Sequence, residues 1–512
     1  MNKADNNLII KFKNFLPYVV LLFITFITQN TYLNIETIEW DIASYLISTQ
    51  DIKSGFLPNT TQWESKGPIF IYLYFFLSNI ASGSLVVFKL LNDLILYFIA
   101  VILFQLLLKQ LNEISISISG SILFLLLMGQ SWALSGYSEL YALLLISLAI
   151  LVISRFRYSN IHYALAGLLL SIATLINQGT IIFVIPIIIS EYVLNNKKNY
   201  TAKITMLGIG GLLPHLYFLI IYSLNNLLNI YLATFVTIPF AYIQAQYANL
   251  YELTVFFREI AEVNFYVYLS IITLVVLTLS NFLSSPRLKF KNEFFDLYNQ
   301  LIIFSLIFYF VGSHNYYHHL IFLLFFIPFI TFKLVNNNQK IFFSIVILLG
   351  LLMNLNTSIE KSISNLSKAS SIQTEYPLYN LSKEIDSYFT DEYTVLAFDY
   401  NLILFYLDKK NYSYIVHPSN HYEEEIITVL TNLEKLEPNY ISNMIDSEPD
   451  VIICNPTMII RGEPVKLNSL FNCEISDYKK NYMKLDTSEY LMDKNLNYYF
   501  DPYKEISVFI KR

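Results

Sequence analysis

The sequence predicts a polytopic α-helical membrane protein that carries a C-terminal α/β domain outside the membrane. Hydrophobic residues make up 55% of its 512 residues and charged residues only 14%, whereas soluble domains average roughly 45–50% and about 25%. Long charge-free runs recur along the first two thirds of the chain. These observations exclude a purely soluble globular protein, a disordered chain and a nucleic-acid binder with a basic surface.

The uneven distribution of charge predicts two domains. Residues 360–512 carry 24 acidic and 15 basic side chains, whereas the first 359 residues carry 15 acidic and 18 basic ones. The polar stretch LNTSIEKSISNLSKASS separates the two parts and reads as a linker. We therefore predict a transmembrane domain over 1–358 and a soluble domain over 359–512.

About eleven charge-poor runs are long enough to cross a membrane, since the hydrocarbon core needs about 20 apolar residues per helix. The predicted spans are 15–33, 84–108, 114–131, 138–154, 161–177, 179–195, 203–224, 263–283, 296–313, 318–334 and 340–356.

One further run, 67–82, is short, and the distribution of lysine and arginine decides how it is placed. If it lies in the outer interface as a juxtamembrane helix, 14 of the 18 basic residues in the first domain face the cytoplasm. If it crosses, most of them face outward, against the positive-inside rule. We therefore predict a cytoplasmic N-terminus, with loop 34–66 and the C-terminal domain outside the cell (inner or plasma) membrane.

The first outer loop, 34–66, carries acidic residues close to the membrane. Its order is Asp41-x-x-x-Tyr45, then GFLP, then Trp63-Glu64-Ser65-Lys66-Gly67-Pro68. This pattern resembles the first outer loop of GT-C membrane glycosyltransferases, in particular the bacterial protein-O-mannosyltransferase-like and aminoarabinose-transferase-like enzymes. Ile42 and Gly67 depart from the family pattern, in which Glu and Pro are common.

Later segments extend the resemblance over most of the chain. Glu139 opens the fourth predicted span where the family places a second acidic residue, and Gln178 follows Asn177 where the family has an outer turn. His318 and His319 resemble a His-containing segment that enters a late span. The C-terminal segment EYTVLAFDYNLILFYLDKKNYSYIV resembles the outer domain of bacterial members.

The resemblance implies an inverting transfer of one sugar from a polyprenyl-phosphate donor to a lipid, glycan or protein acceptor at the outer face of the bilayer. A carboxylate within reach of the acceptor hydroxyl would take its proton, and we assign that role to Asp41, with Glu139 as a second catalytic candidate. Positive or polar groups would bind the donor phosphate. The candidates are Lys66, Tyr45, Arg258, Gln178, His318 and His319.

Each of these residues also has a structural interpretation. Asp41 suits a helix N-cap, Glu139 is favoured by a helix N-terminus, and Lys66 suits a snorkelling interfacial lysine. Arg258 and Glu262 are spaced i, i+4 in a segment that suits an interfacial helix or a lid over the donor phosphate.

The sequence does not reveal a complete set of metal ligands, although the need for a divalent metal stays an open question. His314 and His318 have metal-ligand spacing, but zinc needs at least one more ligand and none is evident.

Cys454 and Cys473 are able to form a disulfide in an oxidising compartment. Strand-like runs (TVLAF, DVIIC, EISVFI) alternate with a helical run (EEEIITVLTNLEKL) in the tail, which predicts an α/β domain.

Three other functions stay open. A transporter or flippase for lipid-linked glycans predicts matching halves and charges deep in several spans, whereas the acidic residues here gather in outer loops. A polymerase or ligase would use a similar donor but join long chains. A catalytically inactive interaction protein on the same fold is the remaining alternative.

Overall fold

The structure is a computed structural model, and it describes residues 3–512 except 38, 130–135, 195–196, 246–249, most of 264–295, 313–315, 334–336, 457–458, 461–462, 465–480, 492–495 and 498–505. The chain forms two compact units, each built from three segments. The first unit contains Met1–Tyr32, Leu90–His215 and Gln246–Ser367, and the second contains Leu33–Lys89, Leu216–Ala245 and Lys368–Arg512.

The first unit is helical. Two of its long helices, Leu85–Leu111 and Lys197–Leu224, continue past the boundaries of the unit, and their remaining residues belong to the second unit. Its helices are Lys3–Asn30, Leu85–Leu111, Ile114–Leu127, Ser138–Arg155, Asn160–Ile176, Val184–Leu194, Lys197–Leu224, Leu250–Val263, Leu297–Gly312, Ile321–Lys333 and Asn337–Ser367. Short 3-10 turns, Gln178–Phe183 and Tyr317–Leu320, precede two of them.

Helices occupy ten of the eleven runs that the sequence predicts as spans, and most of run 263–283 lies outside the described residues. Three helices of the described part are long and apolar enough to cross a membrane: Leu85–Leu111, Ser138–Arg155 and Asn199–Leu224. A bent pair, Lys340–Met353 and Ser358–Ser367, gives a fourth, and eight shorter apolar helices have 10–17 residues. The mostly helical fold is therefore confirmed, while the count of eleven spans stays a prediction.

Two helices of the first unit cross at glycines. A Cβ atom on Gly210 would lie 1.9 Å from the carbonyl oxygen of Ala164, and one on Gly167 would lie 2.0 Å from that of Leu207. Only residues without a side chain allow the two backbones to approach so closely, as is common between helices in membranes.

The second unit combines helices with small sheets. Its helices are Trp40–Lys53, Pro68–Ala81, Leu228–Leu232, Ile238–Ala245, Pro377–Ser387, Leu402–Tyr406, Glu424–Asn432, Tyr440–Asp446 and Ser488–Leu491. A π-turn, Ala233–Thr237, lies within it, and the 3-10 turns Ile372–Glu375 and Pro418–Tyr422 belong to its C-terminal segment.

The predicted C-terminal sheet is present. Its four strands run in the order β2 (Val395–Ala397), β3 (Val451–Cys454), β8 (Ser507–Lys511) and β6 (Tyr482–Lys484), and only β2 and β3 are parallel. All three strand-like runs of the sequence thus form strands. Two smaller pairs are β1 (Glu36–Thr37) with β7 (Leu496–Asn497), and β4 (Ile459–Ile460) with β5 (Glu463–Pro464).

The run 67–82 forms a helix, Pro68–Ala81, whose ends follow from its sequence. Gly67 is the N-cap and Pro68 takes the first helical position, where its missing N–H costs nothing. The helix ends at Ser82 and Gly83, which both have positive φ angles (51° and 78°). Its placement in the outer interface stays a prediction.

Loop 34–66 and the C-terminal segment are joined by backbone pairing. Trp63 and Ile415 form a parallel β-bridge, in which the Trp63 N–H donates to the Tyr414 carbonyl and the Val416 N–H donates to the Trp63 carbonyl. The Trp63 side chain is fully buried in a core that includes Ile230, Ile452 and Phe509. This pairing brings residues that follow Trp63 close to residues that follow Ile415.

Candidate functional site

The first turn of helix Trp40–Lys53 presents Asp41. Glu39 caps this helix, since its carboxylate accepts the Asp41 N–H at 2.8 Å. The N-cap of this helix is therefore Glu39, whereas the structural interpretation of the sequence gave that role to Asp41. About 18% of the Asp41 side chain is exposed, so that the carboxylate is partly accessible to solvent.

His417 contacts Asp41 from the C-terminal segment. Its Nε2 lies 3.2 Å from Asp41 Oδ1, and its Nδ1 lies 2.9 Å from Ser419 Oγ. Burial lowers the pKa of His417, but the hydrogen bond and charge of Asp41, together with the charge of Glu64, outweigh it and raise the pKa above its ordinary value of 6.5. The two carboxylates therefore make the imidazole harder to deprotonate than a free histidine.

Glu64 and Lys66 complete this group of charges. Glu64 is buried, and its Oε1 accepts hydrogen bonds from the Ser65 N–H and hydroxyl, both at 2.8 Å. Burial raises the pKa of Glu64, opposed by the positive charges of His417 and Lys66. The Lys66 ammonium lies 5.9 Å from the ring centroid of Tyr45.

Tyr45 is a packing residue in this structure. Its ring is fully buried and meets the rings of Phe70 and Tyr74 edge-on, at centroid distances of 4.7 and 5.5 Å. The structure thus places Tyr45 underneath Lys66, where it supports the lysine side chain.

The C-terminal domain fixes the indole next to Asp41. Trp40 Nε1 donates to Asp399 Oδ1 at 2.7 Å, and Asn455 Nδ2 donates to Asp399 Oδ2 at 2.9 Å. Trp40 also meets the His417 ring edge-on at 6.0 Å. Sequence reasoning found no role for this domain, but the structure shows that it contributes His417, Asp399 and Asn455 to the surroundings of Asp41.

A second group of predicted residues lies in the first unit, around Glu139. This glutamate opens helix Ser138–Arg155 and is fully buried. Asn177 Nδ2 donates to Glu139 Oε1 at 2.7 Å, and Ser138 Oγ donates to Glu139 Oε2 at 3.1 Å. His319 Nε2 lies 3.4 Å from Glu139 Oε1.

His318 stands beside His319 in the 3-10 turn Tyr317–Leu320, and both are buried. The His318 ring stacks on Tyr137 at 4.2 Å and on Tyr316 at 5.4 Å. His314, which the sequence pairs with His318, lies outside the described residues. The structure instead brings His319 and Glu139 to His318, a grouping that spacing along the chain does not reveal.

The other predicted donor-binding residues lie on segments that adjoin this group. Gln178 directly follows Asn177 and is half-buried. Arg258 is exposed on helix Leu250–Val263, 3.9 Å from Glu262 as the i, i+4 spacing suggests. Its helix packs against the His318 turn through Phe256, whose ring lies 5.0 Å from that of Tyr317.

No motif in the sequence indicates His417 directly. It is, however, the residue that follows Ile415 and Val416 at the end of the segment that resembles the outer domain of bacterial GT-C enzymes. A search for titratable residues next to that segment would have found it. Of the two cysteines, Cys454 is buried in β3 and Cys473 lies outside the described residues, so their disulfide stays a prediction.

Comparison with known proteins identifies the fold. No protein-family model and no curated protein sequence matches the chain. Two solved structures of ArnT from Cupriavidus metallidurans do match. The one bound to undecaprenyl phosphate is 9% identical, with a TM-score of 0.61, and the match covers 96% of this chain and 97% of that one. The apo structure is 10% identical, with a TM-score of 0.50 and coverage of 99% and 98%.

Over nearly its whole length, the chain therefore has the fold of the aminoarabinose transferase ArnT, and the GT-C resemblance predicted from its sequence is confirmed at the level of the fold.

Proposed function

We propose that the chain is an integral-membrane glycosyltransferase that moves one sugar from a polyprenyl-phosphate donor to a lipid, glycan or protein acceptor at the outer face of the cell membrane. The observation that carries this proposal is the contact of His417 with Asp41 in loop 34–66, beside Glu64 and Lys66. The fold supports it, since one ArnT structure of the same fold is bound to undecaprenyl phosphate.

Asp41 acts as the general base of this reaction. Its carboxylate accepts the proton of the acceptor hydroxyl while the hydroxyl oxygen bonds to the anomeric carbon of the donor sugar. The bond between that carbon and the phosphate oxygen breaks, and the oxygen keeps the electron pair, so that polyprenyl phosphate leaves. Attack opposite the leaving group inverts the anomeric centre, as in single-displacement glycosidases.

Lys66 and His417 supply the positive charge. The Lys66 ammonium, supported by the Tyr45 ring, offsets the charge that develops on the leaving phosphate. His417 acts on Asp41 rather than on the sugar, because its Nε2 is directed at Asp41 Oδ1 while Ser419 holds its other ring nitrogen. It is a positioning residue that keeps the carboxylate ionised and oriented.

Mass spectrometry of lipid-linked sugars and surface glycans tests this function in the host cell. We compare cells that carry the native chain, Asp41→Asn, Asp408→Asn or no gene, at matched protein levels. Asp408 is a matched control, because it is an exposed carboxylate of the same unit that pairs with Lys53 at the far end of the Asp41 helix.

We expect Asp41→Asn to reduce transfer by roughly 10²–10⁴-fold, the contribution of a general base. Its cells then accumulate a polyprenyl-phosphate monosaccharide and lose one sugar from one glycan, as the deletion does, while Asp408→Asn behaves as native. A deletion defect that Asp41→Asn does not share would exclude Asp41 as the base and favour a transporter. Accumulation of long lipid-linked chains would favour a polymerase or ligase.

A further inference from the structure

Asp399 is a buried carboxylate that has no part in the proposed reaction so far. Its side chain is fully buried in the C-terminal segment. Asp399 Oδ1 accepts the Tyr400 N–H at 2.7 Å, and Asn455 Nδ2 donates to Oδ2 at 2.9 Å. The Trp40 indole is a further donor, and its Nε1 lies 2.7 Å from Oδ1. This donor comes from the residue that directly precedes Asp41.

The sheet of the C-terminal segment holds the Asp399 carboxylate in place. Asp399 lies two residues after β2, Asn455 directly follows β3, and these two strands are parallel. The Phe398 N–H donates to the Ile453 carbonyl at 2.9 Å, which continues the pairing up to the residue before Asp399. The carboxylate is therefore attached to the edge of a sheet, and a group on such an element is held more precisely than one on a loop.

The Trp40 indole carries this restraint to the Asp41 site. Trp40 is the first residue of helix Trp40–Lys53, and its ring meets the His417 ring edge-on at a centroid distance of 6.0 Å. His417 Nε2 in turn contacts Asp41 Oδ1. A hydrogen bond to an ionised acceptor is shorter and stronger than one to a neutral acceptor. Asp399 therefore fixes the orientation of the indole, and the indole limits where the His417 ring can lie.

A purely structural role of Asp399 is the competing explanation. The indole N–H needs only one acceptor, and a neutral backbone carbonyl would satisfy it. Burying an ionised carboxylate costs more free energy than burying a neutral oxygen. The use of the costlier acceptor, next to Asp41, favours a role in the reaction over one in packing alone.

We propose that Asp399 is a positioning residue for sugar transfer, which holds the Trp40 indole against His417 and thereby keeps the Asp41 carboxylate in place to accept the proton of the acceptor hydroxyl. The role rests on the proposed function of Asp41. It gives the C-terminal segment a second task at the site, beside the contribution of His417.

Steady-state kinetics of the purified full-length chain in detergent test this role. The donor is the polyprenyl-phosphate sugar extracted from cells that lack the gene, and the acceptor is the glycan that these cells leave without one sugar. We compare the native chain with Asp399→Asn, Trp40→Phe and the double variant. Trp40→Phe removes the donor instead of the carboxylate, so that the contact is tested even if Asp399→Asn fails to fold.

We expect each single variant to lower kcat by roughly 10–10²-fold with KM unchanged, because a catalytic group displaced by about 1 Å costs up to about 10²-fold. The double variant should be no slower than the slower single variant, since both changes break one contact. Native kcat in Trp40→Phe would overturn the proposal. Rate losses that multiply in the double variant would also do so, because Asp399 and Trp40 would then act separately.

Tyr482 supplies a matched control for lost stability. Its buried hydroxyl donates to the Pro449 carbonyl at 2.7 Å, and it lies on β6 of the same sheet. Tyr482→Phe also removes one buried hydrogen bond, and we expect a lower melting temperature with native kcat. If Asp399→Asn behaves in the same way, Asp399 has only a structural role.

Fluorine NMR follows the contact without a measurement of activity. The chain has three tryptophans, and Trp40→Phe identifies the Trp40 resonance in protein labelled with fluorotryptophan. We expect Asp399→Asn to shift or broaden this resonance, while Tyr482→Phe leaves it in place. A Trp40 resonance that Asp399→Asn does not move would contradict the proposal, because the carboxylate would then not hold the indole.

Failure of the proposed function gives a different result. If Asp41→Asn transfers sugar at the native rate, Asp41 is not the base, and both the proposed function and the role of Asp399 are wrong. If Asp41→Asn is inactive while Asp399→Asn and Trp40→Phe are as fast as the native chain, only the role of Asp399 is wrong.

Discussion

His417 and Asp41 form a contact whose strength depends on pH. The raised pKa of His417 means that the folded state holds its proton more tightly than the unfolded state does. The stabilisation is therefore complete below pH 6.5 and is lost as the pH rises through the raised value. The same proton links the positioning of Asp41 to pH.

We expect His417→Gln to lower the transfer rate roughly tenfold, less than Asp41→Asn does, because it removes the support of a general base worth roughly 10²–10⁴-fold rather than the base itself. In the native chain, we expect kcat/KM to change through a titration above pH 6.5. This titration is absent from the variant. Rates of the purified proteins between pH 5.5 and 9 measure it, and an unchanged profile in the variant would show that His417 has only a structural role.

Among individual residues, sequence patterns predict best those that share one motif. Asp41, Glu64 and Lys66 belong to the single loop 34–66, and its motif pointed to them together. His417 lies beside them where Trp63 pairs with Ile415, and contacts between segments so far apart in the chain leave no pattern in either sequence. The contact of Glu139 with His319 likewise joins residues that are distant in the sequence.

Helices and strands are the part of the fold that sequence patterns predict best. Within the described residues, the charge-free runs and the strand-like runs form helices and strands because hydrophobic period and length specify them locally. The local breaks were not predicted. Run 179–195 begins as a 3-10 turn, since the Asn177 side chain accepts the Gly179 N–H at its start.

Helix crossing at Gly210 gives a test at the element scale. We expect Gly210→Ala to lower stability by about 1–3 kcal/mol, the usual cost of overpacking, because its Cβ meets the Ala164 backbone. Gly208 on the same helix has no neighbour within 4 Å of an added Cβ. Gly208→Ala should therefore leave stability unchanged or raise it by up to about 1 kcal/mol.

Denaturant titration of both glycine variants in the same detergent measures the difference. Equal stability of Gly208→Ala and Gly210→Ala would show that the two helices separate at no cost, contrary to the close approach at Ala164.

The two compact units of the whole molecule do not follow the order of the chain. Charge density divides the sequence near residue 358, and this boundary stays a prediction about which part is in the membrane. By contact, however, the C-terminal segment belongs with loop residues 33–89 and residues 216–245. Composition reports the environment of a segment and carries no information about its partners, so the second unit was not predictable.

We expect the fragment 368–512 to lack a cooperatively folded core when it is expressed alone. The buried cluster around Ile452 and Phe509 also contains Trp63, Ile230 and Ile238. Loss of one large core side chain such as Trp63 costs about 3–5 kcal/mol, a large part of the roughly 5–15 kcal/mol that stabilises a typical protein. Near-ultraviolet circular dichroism during a thermal scan measures the effect.

The full-length chain in detergent is the reference for this experiment. A sharp melting transition of the isolated fragment, together with protease resistance equal to that of the same segment in the full-length chain, would show that the C-terminal segment forms its own core.

The pairing of Trp63 with Ile415 also orders events during synthesis. A ribosome completes Asp41, Glu64 and Lys66 hundreds of residues before it reaches His417. A nascent chain at that stage has the acidic loop but lacks the His417 imidazole, the Ile415 partner of Trp63, and Asp399 and Asn455, which hold Trp40. A chain that stops before His417 is therefore left without an assembled Asp41 site.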